Sequence, residues 1–183
     1  MKKTLILAIT LAASVISTQT FAQKTKMVGG AEMLPSKDIV DNAVNSKDHT
    51  TLVAAVQAAG LVETLKTAGP FTLFAPTNAA FDKLPAGTVG ELVKPENKET
   101  LTKILTYHVV AGRQSSTDIA KAIKAGNGKA EFTTVSGGKL YATMSGKNLI
   151  LTDEKGGTST VTIADVFQKN GVIHVVDTVV LPE

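Results

Sequence analysis

Cysteine does not occur anywhere in this 183-residue chain, and neither does tryptophan. The first absence excludes disulfide staples, thiol nucleophiles, thiolate metal sites and lipid attachment through an amino-terminal cysteine. Stability has to come from packing and hydrogen bonding alone. Aromatic residues make up only 4% of the chain, and its 19 basic residues are scattered, with no run that would track a phosphate backbone. Nucleic acid is therefore not an expected partner. Histidine occurs three times, as His49, His108 and His174, and no two share the i, i+4 spacing of a helical zinc site. A G-x-S-x-G elbow is missing, which removes the usual serine-hydrolase arrangement. Gly126-Asn127-Gly128 lacks the third glycine of a dinucleotide loop and reads as a flexible turn. The acidic pairs Asp153-Glu154 and Glu96 with Glu99 have no oxygen-rich calcium loop around them, and read as solvated carboxylates. Nothing in the sequence requires a cofactor or a metal, and enzymatic chemistry is not expected.

What is present begins with a leader. Lys2 and Lys3 precede an apolar stretch from Leu5 to Ile16, and Thr20-Phe21-Ala22 has the small-residue pattern of a cleavage site. The apolar stretch is shorter than the roughly 20 residues that span a bilayer, so residues 1–22 read as a secretory signal peptide. After cleavage no integral membrane segment is expected, and without a lipobox cysteine the product is periplasmic or secreted. The two leader lysines account for two of the three net positive charges. The exported chain is accordingly close to neutral. Residues 23–35 are mostly polar and contain Gly29-Gly30, which reads as a flexible amino-terminal segment. Residues 36–183 are of a size for one domain with one core.

Within that domain, helix signals come first. Ser36 is a candidate cap for a short helix carrying Ile39, Val40 and Val44, and Thr50 or Thr51 for a second that ends at Gly60. Phe71 to Ala75 is a short apolar run stopped by Pro76, after which Thr77 is placed to cap another helix. Thr88 and Glu91 have capping-box spacing. A longer helix is expected from Pro95, feeding into the apolar element Tyr107 to Val110, and Ser116 or Thr117 is placed to cap a last helix that ends at Gly126. Strand signals follow at 132–135, 139–144, 148–152, 161–166 and 172–180, separated by Gly137-Gly138, Ser145-Gly146, Gly156-Gly157 and Asn170-Gly171. Helices first and strands later indicate an α+β fold. The run from Val172 is apolar on both parities apart from His174, Asp177 and Thr178, so a central strand covered on both faces is expected. His174 and Asp177 fall on opposite faces of a regular strand and form no dyad.

Three stretches belong together: Phe71 to Phe81 (FTLFAPTNAAF), Tyr107 to Val110 (YHVV) and Asn170 to Pro182 (NGVIHVVDTVVLP). In order and spacing they resemble the two signature boxes and the central tyrosine-histidine box of the fasciclin domain, over residues 36–183. The resemblance implies a wedge or sandwich of about seven strands with a layer of short helices. It also implies a cell-adhesion or surface-binding module of the extracellular matrix or cell envelope, recognising a polysaccharide or an extracellular or envelope protein, as a monomer or weak oligomer. In animal fasciclin domains the tyrosine-histidine pair is linked to integrin recognition, and Tyr107 and His108 match it. A second family motif, aspartate followed by isoleucine, maps to Asp165 and Val166, with valine in place of isoleucine. The apolar setting of these residues points at the same time to a structural role. The alternative from another class is a soluble accessory subunit that docks to a membrane or envelope protein complex.

Overall fold

The computed structural model describes residues 25–67 and 69–183. The expected signal peptide, residues 1–22, lies outside them. Seven strands form one mixed sheet in the order β4-β3-β9-β8-β7-β6-β5: β3 (Phe71–Pro76), β4 (Val109–Ala111), β5 (Lys129–Thr133), β6 (Lys139–Ser145), β7 (Asn148–Thr152), β8 (Thr158–Gln168) and β9 (Gly171–Val176). Only one pair in this sheet, β3 with β9, is parallel, and every other neighbour is antiparallel. A bridge between Val110 and Thr134 draws the two edge strands together, so the sheet is nearly closed. The α+β fold and the strand number agree with the sequence.

All six residues of β9 are buried, as a strand without polar alternation demands. Leu73, Ala75, Ile173 and Val175 face the helical layer. Phe74 and Val176 face the interior of the sheet, against Tyr107, Leu140, Ala142 and Leu151. The helical layer comprises α1 (Ile39–Ala43), α2 (Thr50–Ala59), α3 (Val62–Lys66), α4 (Asn78–Asp82), α5 (Thr88–Leu92) and α6 (Lys98–Tyr107), while α7 (Ser116–Ala125) covers the other side of the sheet. Most are too short to persist without tertiary packing. Gly60 ends α2 in the left-handed conformation, with φ +72°. Thr77 caps α4 by accepting the Ala80 N–H.

The structure departs from the sequence reading at several ends. Residues 26–33 are not a tether. They form a hairpin, β1 (Lys26–Val28) and β2 (Ala31–Met33), whose Val28 and Met33 are buried in the main core. One buried apolar side chain per strand is too little periodicity to read from the sequence. Asp38, not Ser36, caps α1 through the Asp41 N–H at 2.7 Å. The capping box lies at Ser115 with Asp118, one residue before the expected start of α7. At Thr88 there is none, since Gly87 precedes α5 and the Glu91 carboxylate pairs with Lys94 instead. Tyr107 and His108 are not strand residues but the last residue and the C-cap of α6.

Candidate functional site

Tyr107, His108 and Asp165 fall into two clamps, and Val166 packs into the main core beside the second. The first begins where α6 ends. Tyr107 is fully buried, and its hydroxyl donates to the Lys139 carbonyl at 2.5 Å while accepting the Glu154 N–H at 3.2 Å. It thus ties α6 to the start of β6 and to the turn after β7. Burial pushes its phenol up to about 12. Gly138 lies against the ring, and a Cβ there would come 2.8 Å from Tyr107 Cε2.

His108, 1% exposed, turns the other way. Its Nδ1 lies 2.9 Å from the Ile104 carbonyl and its Nε2 accepts the Val180 N–H at 3.2 Å. These partners fix the neutral tautomer protonated on Nδ1. Burial lowers its pKa to about 4. Its own carbonyl accepts the Phe74 N–H, so one residue joins α6, β3 and the carboxy-terminal tail. Asp153 holds the same tail, with Oδ2 accepting the Leu181 N–H at 2.9 Å and Oδ1 accepting the amides of Gly157 and Lys155. It is 6% exposed, not a solvated carboxylate. Its adjacency to the turn glycines Gly156-Gly157 was the available signal.

The second clamp sits on a bulge in β8. Register shifts between Ile163 and Val166 leave Asp165 outside the ladder, with φ +56°. Its carboxylate accepts the Ser116 N–H at 2.6 Å and the Ser116 hydroxyl, and so anchors the start of α7. Its own N–H donates to His174 Nδ1 at 3.3 Å, while His174 Nε2 donates to the Gln114 carbonyl at 2.8 Å. His174 is fully buried, stacks on Phe74 with ring centroids 5.7 Å apart, and is held below the ordinary histidine pKa mainly by burial. Val166 is 1% exposed and packs into the main core.

Phe74 therefore stands between the two clamps, bonded through its N–H to His108 and stacked on His174. The two imidazoles do not share a cleft or a carboxylate. Asp177 spends its carboxylate on the Thr160 N–H and the Thr178 hydroxyl. Among the described residues no group of three or more histidines and carboxylates is placed to hold a metal ion. No helix there is long and apolar enough to cross a membrane.

A broad concavity lies beside the first clamp. A groove of about 860 Å³ runs between the α4–α5 segment, α6 and the tail after β9. Its apolar wall includes Phe81, Leu84, Leu92, Val179, Leu181 and Pro182, with Glu99, Lys103, Lys155 and Glu183 also on its lining. His108 forms part of its floor, so the first clamp fixes one wall of the groove. The sequence did not reveal the groove, because its walls come from segments as far apart as Phe81 and Leu181 that topology brings together.

Comparison with known proteins gives a consistent result. A sequence model of the fasciclin domain matches residues 47–182. A Synechocystis protein is 44% identical over 161 residues, covering 87% of this chain and 82% of its own length. The cell surface glycolipoprotein MPB83 of Mycobacterium bovis is 32% identical over 169 residues, covering 90% of this chain and 69% of that protein. The solved FAS1 domain pair of the insect cell adhesion molecule fasciclin I aligns with a TM-score of 0.71 at 17% identity, over 81% of this chain and 52% of that one. That likeness concerns the fold.

Proposed function

This chain belongs to the fasciclin domain family, and from that premise we propose that it is an exported adhesion module, periplasmic or secreted, that attaches to an extracellular or envelope protein through the groove beside α6. The observation that carries the reading is a division of labour. Tyr107, His108, Asp165 and Val166 are engaged in holding the fold, and a side chain with both its hydrogen-bonding groups satisfied inside offers nothing to a partner without local opening. The groove is open, apolar at its centre and charged at its edge, the anatomy of a protein-binding patch. Its one phenyl ring, Phe81, is 6% exposed and presents no flat face on which a sugar could stack. This favours a protein over a polysaccharide.

The tyrosine-histidine box keeps a part in recognition under this reading, at one remove. His108 fixes Val180, and Val179 and Leu181 on either side form groove wall. The proposal excludes catalysis as the purpose of the box. In situ crosslinking of the exported chain to its own envelope tests it. Leu92→Lys is expected to lose the crosslinked protein while melting normally, and Met144→Lys, on an exposed face of β6, to retain it. Binding carried entirely by glycan, unchanged in Leu92→Lys, would overturn the proposal. Stoichiometric recovery with one integral membrane protein would assign the chain instead as an accessory subunit.

A further inference from the structure

A second hollow, separate from the groove, opens between helices of the helical layer. It measures about 210 Å³ and is bounded by α1, α2 and α3, with Leu73 of β3 as its floor. Its walls are aliphatic: Ile39, Val40, Leu52, Val53, Val62 and Leu65 all face it, with Val44, 51% exposed, at the lip. Protein interiors rarely leave voids larger than a water molecule. A dry cavity of about 150 Å³ is enough to take up a six-carbon ring, so this one has room for a compact group of about six to eight carbons. Two of its three walls are five-residue helices, which hold their places by packing and can adjust to an occupant.

The mouth decides what the occupant is. Lys66 Nζ and Asp41 Oδ1 lie 2.9 Å apart across it and pair α3 with α1. Asp41 and Lys66 are the two charged residues that line the hollow, and each has the other as its partner. No unpaired charge lines the hollow to hold a charged head group. A carboxylate would have to displace Asp41 from Lys66, and an ammonium would have to displace Lys66 from Asp41. An uncharged guest leaves the pair intact.

We propose that the α1–α2–α3 hollow is a binding site for a small, uncharged, compact hydrophobic molecule, a cyclic or branched alcohol or hydrocarbon of about six to eight carbons. The inference does not rest on the adhesion reading, since the groove beside α6 is a separate surface.

The test is a methyl-resolved NMR titration of the intact chain with three probes of one shape: cyclohexanol, cyclohexanecarboxylate and cyclohexylammonium. Cyclohexanol is expected to bind saturably, shifting methyls of Val40, Val44, Val53, Val62 and Leu65. Both charged analogues should bind at least about tenfold more weakly. Ala43→Leu, which pushes a larger side chain into the hollow from its wall, should abolish the shifts, whereas Leu92→Lys in the groove should leave them unchanged. The comparison among the three probes needs no variant, so it stands even if Ala43→Leu misfolds. Absence of saturation, equal binding of a charged analogue, or undiminished binding in a folded Ala43→Leu chain would overturn the proposal.

Discussion

Three imidazoles sit where water does not reach, and that makes acid sensitivity a property of individual residues. His49, His108 and His174 all hold protons less readily in the folded chain than a free histidine does, in each case mainly because burial penalises the charged ring. A group with a depressed folded pKa binds protons more readily when the chain is unfolded. For His108 the stabilising difference is therefore complete above about pH 6.5 and disappears as pH falls toward about 4. Its full size is about 3 kcal/mol. The expected outcome is a melting temperature that declines between pH 6.5 and 4, with a shallower decline in His108→Gln; an identical slope in the variant would refute the assignment. Carboxylates held low by hydrogen bonds, such as Asp118 and Glu154, lose their stabilising share as pH falls below their ordinary values of 3.8 and 4.5, which overlaps only the acid end of that window. The sequence allowed the burial of His108 and His174 to be read from their apolar neighbours. It did not show the partners, because Ile104 lies one helical turn back and Val180 lies 72 residues away.

At the scale of elements, legibility followed the strength of the local signal. The apolar run of β9 around His174, the Thr77 cap and the Gly60 stop could all be read, because each rests on chemistry within a few residues. The Asp165 bulge could not, since a left-handed aspartate needs its Ser116 and His174 contacts to be worth its strain. The amino-terminal hairpin failed for the opposite reason: its polar composition was genuine, but two side chains, Val28 and Met33, are enough to dock it. Burying a residue of that size stabilises by about 1.5–3 kcal/mol. A chain lacking residues 25–35 is accordingly expected to lose about 2–4 kcal/mol in urea denaturation. A flexible tether would leave the midpoint where it was.

For the whole molecule, the carboxy-terminal tail acts as a closing strap. Val179 and Val180 are buried in different cores, and the backbone between them and Leu181 is held by His108 and Asp153. Ending the chain at Thr178 would leave an imidazole nitrogen and a buried carboxylate oxygen without their partners, in addition to the lost apolar area. The expected cost is about 3 kcal/mol or more, read as a lower urea midpoint, and an unchanged midpoint would show the strap to be dispensable. The order of helices early and strands late, as the sequence composition indicates, holds for α1 to α7 against β5 to β9, with the β1–β2 hairpin, β3 and β4 as the early exceptions. What composition could not convey is that the early strand β3 and the last strand β9 lie side by side within the sheet.

That pairing joins Phe71 with Gly171 and Pro76 with Val176, a separation of one hundred residues, by parallel hydrogen bonds. A ribosome making this polypeptide emits β3 long before the only partner able to complete it on its buried side. Until synthesis has passed residue 176, that side of β3 stays unpaired, and contacts of such long range are slow to form even then. The antiparallel run β5 to β8 pairs between neighbours in sequence, whereas the β3–β9 seam has to wait for residues 171–176 to be made.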